Sequence, residues 1–229
     1  MVSASMVFSR AATFDAPVAI EVDVLRSGRT YSTVETRTTQ HDKLCCIGLV
    51  LLDAGADDLM RHTAPMPDVP GPHNCPPLDF GVTGRDLRVV GGAYHRSPDD
   101  VGPPELYTWI RLRDLAEDQA LHTAMLAQPV TAWTIAAGMR PHRGITEDQA
   151  HVTLSTGPMS VDMAFHDDAD ATGWLLYANT AVYAGRGQVQ GQGLVFTENG
   201  MLVASYSLHA MVRGLTTDPS SVGGYSTAM

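Results

Sequence analysis

Residues 173–213 read GWLLYANTAVYAGRGQVQGQGLVFTENGMLVASYSLHAMVR, and this run constrains the fold more than any other. Apolar, β-branched and aromatic residues fill three stretches, 174–183, 188–197 and 201–213, separated by Gly185-Arg186-Gly187 and Glu198-Asn199-Gly200. Short glycine-bearing turns between such stretches join antiparallel neighbours in hairpins. In the last stretch Leu202, Ala204, Tyr206, Leu208 and Ala210 fall on one face by strand alternation, so that face is core. A sheet with one apolar face needs another layer to cover it.

The rest of the chain supplies the other elements. In residues 18–25 apolar residues alternate with small or acidic ones, the pattern of a half-buried strand, and 30–40 is a second strand rich in Thr and Val. Residues 43–53, KLCCIGLVLLD, are nearly all apolar and suit a strand buried on both faces. From 54 to 105 prolines recur and long regular elements are excluded, apart from a short strand at 87–90. A strand at 106–113 follows, then Asp114 with Glu117 three residues on, a helix-start pair predicting helix from 115 to 127. Pro129 opens a second helix running to about Met139. Strands are expected at 151–154 and 159–166.

Composition narrows the function classes. With a formal charge of −10 the 229-residue chain is a poor general partner for nucleic acid or an anionic membrane. Its three cysteines, Cys45, Cys46 and Cys75, have neither CxxC spacing nor an even count, so no disulfide framework, metal site or cofactor is expected. The N-terminus lacks a signal-peptide core and no apolar run reaches membrane-spanning length, giving a cytoplasmic expectation.

Five phrases in order then carry a resemblance: SASMVFSRAATFDAPVAIEVDVLRSGRTYS, LYTWIRLRD, MRPHRG, MSVDMAFH and WLLY…GRG…ENGMLVAS. Together they resemble the type II acyl-CoA thioesterases, the TesB-like double hot dog proteins. The resemblance implies an α+β double hot dog, antiparallel sheets each wrapping a central helix. It divides the chain into an incomplete N-terminal hot dog at 1–55, a Pro-rich crossover at 56–104, a C-terminal hot dog at 105–215 and a flexible tail at 216–229. The first hot dog lacks its N-terminal helix, because the chain begins at the strand that follows it. A truncated start is the expectation, since an uncovered sheet face leaves apolar surface in water.

Thioester hydrolysis in that family is understood as water attack aided by a carboxylate, a hydroxyl and a carboxamide. The resemblance puts the carboxylate position at Thr131, the hydroxyl at Ser160 and the carboxamide at Leu208. Two of the three are therefore replaced. Asp162 shares a strand face with Ser160 and is the remaining carboxylate, its other reading being a structural hydrogen-bond acceptor. His142, in a loop, is a candidate titrating group or an ordinary surface histidine. Arg186 is a candidate for a CoA phosphate or an exposed turn residue, and the Gly-Gln repeat beside it suits strand bending.

Two functions from different classes stand. The first is hydrolysis of a fatty acyl-CoA by activated water. The second is a catalytically weak or inactive hot dog that binds acyl-CoA or acyl-carrier thioesters, motivated by Thr131 and Leu208. A hydratase ranks last, because it needs an Asp and a His at a helix start and the residues around Thr131 offer neither. A homo-oligomer, dimer or higher, is expected from the resemblance.

Overall fold

The structure is a computed structural model that describes residues 1–79, 81, 83–94 and 97–216. The tail expected at 216–229 thus lies, beyond Thr216, outside the described residues. Ten strands make one antiparallel sheet: β1 (Ser3–Phe8), β2 (Ala19–Ser27), β3 (Tyr31–Gln40), β4 (Lys43–Asp53), β5 (Arg85–Val89), β6 (Glu105–Leu112), β7 (Leu154–Phe165), β8 (Leu175–Gly185), β9 (Gln188–Thr197) and β10 (Leu202–Gly214). Their order across the sheet is β2-β3-β4-β1-β7-β10-β9-β8-β6-β5. The N-terminal strands therefore join the C-terminal ones through the single β1–β7 seam, with Ala4 opposite Met163 and Met6 opposite Val161.

Helices α1 (Gln119–Met125) and α2 (Val130–Met139) lie between β6 and β7 in sequence. Pro129 caps α2 and eight of the ten α2 residues are buried, so this helix is apolar nearly all round and sits in the core. It packs on what we call the inner face of the sheet, with Trp133 and Ile135 in one cluster with Val161, Met163, Leu208 and Ala210. This is the hot dog arrangement, a curved antiparallel sheet around a central helix.

Close approach of helix and sheet needs glycine at defined places. A Cβ added at Gly138 on α2 would stand 2.6 Å from Val189 Cγ1. One at Gly191 would strike Thr134 Cγ2, and one at Gly193 the ring of Tyr206. Gly191 of the Gly-Gln repeat, and Gly193 beside it, therefore make room for helix and ring packing against β9.

The N-terminal half differs from what its pattern predicts. Strand β2 is exposed along its whole length, with Ile20, Val22 and Val24 at 65, 60 and 63%. Strand β4 is not buried on both faces: Cys45 and Gly48 are, but Leu49 and Leu52 are exposed. The reason is the same in both cases. Among the described residues no helix packs on the inner face of β2, β3 and β4, so alternation there has no core to point into.

Three smaller expectations also change. Asp114 has φ of 56° in a turn, and the helix starts later, at Asp118, whose carboxylate accepts from the Ala120 and Leu121 amides at 2.9 and 3.3 Å. The strand expected at 151–154 is a turn that leads into one long β7. The short strand expected at 87–90 is β5, the last strand of the sheet, paired to β6 and bridged on its other side by Pro77 opposite Arg88.

A buried polar network ties α2 to the sheet. Thr134 donates to Asn179 Oδ1 at 2.9 Å and Tyr206 donates to the same oxygen. Asn179 Nδ2 donates to Leu106 O and Tyr177 O at 3.3 and 3.2 Å. Burial holds the Tyr177 and Tyr206 phenols far above their usual range, so both remain donors. Replacing Asn179 by Leu strands the Tyr206 hydroxyl in the core, at about 1–3 kcal/mol, and leaves Thr134 to Val130 O at 3.3 Å. Asn179→Leu is expected to lower Tm by on the order of 10 °C. In a double-mutant cycle with Tyr206→Phe, the two losses should be clearly less than additive.

Candidate functional site

Between α2 and the β1–β7 seam lies a cavity of about 880 Å³. Its apolar wall includes Phe8 and Met6 of β1 and Ala132, Ile135, Ala136 and Met139 of α2. Thr131, Gln128, Glu147, Asp148, His151 and Thr156 bring polar groups to the same hollow. An apolar cavity of this size with a few convergent polar groups has the makeup of a small-molecule site.

Thr131 is held there by helix geometry, one residue inside the start of α2. The Glu147, Asp148 and His151 wall comes from a 3-10 turn, Glu147–Gln149, that Thr146 and Gln149 close with a reciprocal capping box. Glu147 is buried. His151 follows with φ of 60°, a left-handed conformation uncommon outside glycine. Its amide donates to Leu154 O at 2.7 Å, and Val152 and Thr153 both donate to Gln149 O, which keeps the turn in that shape. Burial lowers the His151 imidazole below its ordinary value, favouring the neutral ring, which can accept a proton.

The residues singled out in the sequence do not converge on this hollow. Thr131 lines it. Leu208 is fully buried and pairs with Val161 on the inner face, so it belongs to the core. Ser160 pairs with His209 on one side and Val7 on the other, both on the outer face, so the sheet lies between Ser160 and Thr131. The register explains this. A bulge at Met159 puts Pro158 opposite Ala210 and Ser160 opposite His209, and Thr156, Gly157 and Pro158, all before the bulge, are the β7 residues that reach the cavity.

Asp162 shares the outer face with Ser160. It pairs with Ser5 and Ser207 and lines a separate groove of about 660 Å³. His142 is exposed in the turn after α2. Arg186 is exposed at the tip of the β8–β9 hairpin with φ of 55°, followed by Gly187 at 74°. Both angles match the hairpin turn that requires positive φ at two successive residues. Neither Arg186 nor His142 lines the cavity. The Glu147–His151 wall was missed because no sequence periodicity marks a 3-10 turn as a cavity wall. The left-handed His151 leaves no signal in sequence either.

Comparison with known proteins is consistent with this geometry. Residues 1–52 match the acyl-CoA thioesterase N-terminal domain and residues 60–212 the acyl-CoA thioesterase C-terminal domain. An acyl-CoA thioesterase II from Mycobacterium marinum superposes with a TM-score of 0.74 at 23% identity, covering 94% of this chain and 81% of that one. A tesB protein from Mycobacterium avium subsp. paratuberculosis gives 0.71 at 20%, over 92% and 77%. A hot dog protein of unknown function from Alicyclobacillus acidocaldarius gives 0.73 at 18%, over 94% and 79%. At these identities the three structures speak for the fold, and the two domain matches for the family. The chain belongs to the acyl-CoA thioesterase family. No helix among the described residues is long and apolar enough to cross a membrane.

Two outcomes follow from the cavity itself. Ala136→Phe fills it, so binding of an apolar fluorescent dye should weaken by on the order of tenfold, whereas Ser160→Ala, on the outer face, should leave dye binding unchanged. Because the folded-state value of His151 is lowered, the unfolded chain binds more protons as pH falls through about 6.5. Stability should therefore drop from pH 7 toward pH 5, and His151→Asn should flatten that drop in thermal melts.

Proposed function

We propose that this member of the acyl-CoA thioesterase family takes an acyl-CoA thioester with its acyl chain in the 880 Å³ cavity and hydrolyses it to free acid and CoA. The observation that carries the reading is that the apolar wall of α2 and β1 meets Thr131 and the Glu147–Asp148–His151 turn in one hollow. Family membership supplies the substrate class. The polar wall supplies groups for the chemistry.

The reaction needs a base, an attacking water and a place for negative charge on the carbonyl oxygen. Neutral His151 takes a proton from water, and the hydroxide attacks the thioester carbonyl carbon. The C–S bond then breaks, and the CoA thiolate recovers a proton from the imidazolium. Thr131, at the positive end of the α2 dipole, orients water or carbonyl through its hydroxyl. Ser160 and Asp162 stand across the sheet from this hollow and take no part in these steps.

A second reading, binding without turnover, draws on a specific observation. Thr131 has no carboxylate, and Leu208 is sealed in the core where a carboxamide would be needed. Release of free CoA over a panel of acyl chain lengths separates the two. Hydrolysis predicts saturable release that His151→Gln lowers on the order of a hundredfold and Ser160→Ala and Asp162→Ala leave unchanged. Release no faster than the uncatalysed rate, with acyl-CoA still binding in calorimetry, would establish the second reading. A sharp loss in Ser160→Ala would move the chemistry to the outer face.

A further inference from the structure

Beside the cavity, at the β5 edge of the sheet, is a smaller pocket of about 320 Å³ lined by Arg85, Arg88, Arg111, Arg113 and Trp174. Four of the chain's 15 basic Lys and Arg residues thus meet in one hollow of a protein with formal charge −10. Only two carboxylates line it, Asp79 and Asp86. Asp86 serves two of the arginines, accepting from Arg111 Nε at 2.7 Å and standing 3.6 Å from Arg113 Nε. The Nη groups of Arg111 have no hydrogen-bond partner among the described residues.

Two further groups point to a missing acceptor. Arg85 and Trp174 are each only 7% exposed, and among the described residues Arg85 Nε and Trp174 Nε1 carry no hydrogen bond. A buried donor left without an acceptor is costly, so these positions need a reason. The Trp174 indole is also clasped by cations: Arg111 lies 4.8 Å from its ring centroid and Arg88 5.8 Å. Stacking on an indole holds guanidinium groups in a fixed fork and weakly hydrated, the condition in which arginine grips phosphate.

The pocket also abuts the acyl cavity. Asp79 lines both hollows, and Gln128 of the cavity accepts from Arg85 Nη1 at 2.9 Å. Arg88, Arg111 and Trp174 lie on the outer face and the cavity on the inner one, so a ligand with an apolar end and a polyanionic end occupies both by rounding the β5 edge at Asp79. We infer that the Arg85, Arg88, Arg111, Arg113 and Trp174 pocket binds the phosphates of the nucleotide end of CoA. This rests on the acyl-CoA reading for the other end of the ligand. It replaces Arg186, which the fold puts at a hairpin tip away from both hollows.

The test uses the full chain and adenosine 3′,5′-bisphosphate, which carries the nucleotide phosphates without any acyl group. Calorimetry at low salt should detect binding that added salt weakens, and Arg111→Gln/Arg113→Gln should weaken it at least tenfold. Asp86→Asn should bind more tightly than wild type, because it frees both arginines. The melting temperature and apolar dye binding report whether each variant is folded. Should the double variant misfold, Arg113→Gln alone, whose side chain is 54% exposed, gives the same comparison.

Equal affinity in wild type and the arginine variants, or no binding by wild type, overturns the inference. Inorganic phosphate binding as tightly as the bisphosphate would make the pocket a bare anion hole and overturn the nucleotide assignment. Bisphosphate binding without any CoA release leaves this inference standing and removes hydrolysis. CoA release that is indifferent to the arginine variants does the reverse.

Discussion

The position of α2 depends on the Asn179 carboxamide. Its oxygen accepts from Thr134 of the helix and Tyr206 of β10, and its nitrogen donates to two backbone carbonyls. All four of these bonds lie in the core, where an unmade bond costs far more than a made one gains. An otherwise apolar helix could slide or turn on an apolar sheet at little cost. The network removes that freedom, and Gly191 and Gly193 supply the room it needs. Thr131 and the cavity wall inherit their positions from this bond set.

The energetics of the two halves are unequal. The strands of the C-terminal half bury Trp109, Tyr177, Phe196 and Leu208 beneath α2 or on the outer face under residues 66–75. Burial at about 25 cal/mol per Å² stabilises that half. Strands β2 and β3 gain little of this and hold together through ladder hydrogen bonds and the β1–β7 seam. An exposed edge strand bearing Ile20, Val22 and Val24 is also the kind of surface natural sheets usually blunt or cover.

Most strands were legible because alternation, glycine turns and proline gaps have local causes. The hairpin at Gly200 and the α2 start at Pro129 are cases in which one residue sets the local backbone. Burial in the N-terminal half was not legible, since alternation shows which side chains share a face and not whether anything covers it. The site was legible only in part. Thr131 could be placed through the helix, but one extra residue at Met159 reverses the face of Ser160 relative to its bulge-free count. Gly157-Pro158 beside it is the kind of pair that marks a bulge in a strand, but it does not say which residue is the extra one. The arginine pocket gathers residues from β5, β6 and the loop before β8, which no spacing rule connects.

The pinned helix has a consequence for how such a cavity changes in evolution. Its two walls are not equally free to move. The α2 wall is the fixed jaw of a caliper, locked at Thr134 three residues beyond Thr131. The facing wall at Met6 and Phe8 of β1 is the sliding jaw, since apolar side chains there can change size without breaking a polar bond. Selection for a longer or shorter apolar guest therefore reads out on β1, while α2 keeps the zero of the scale.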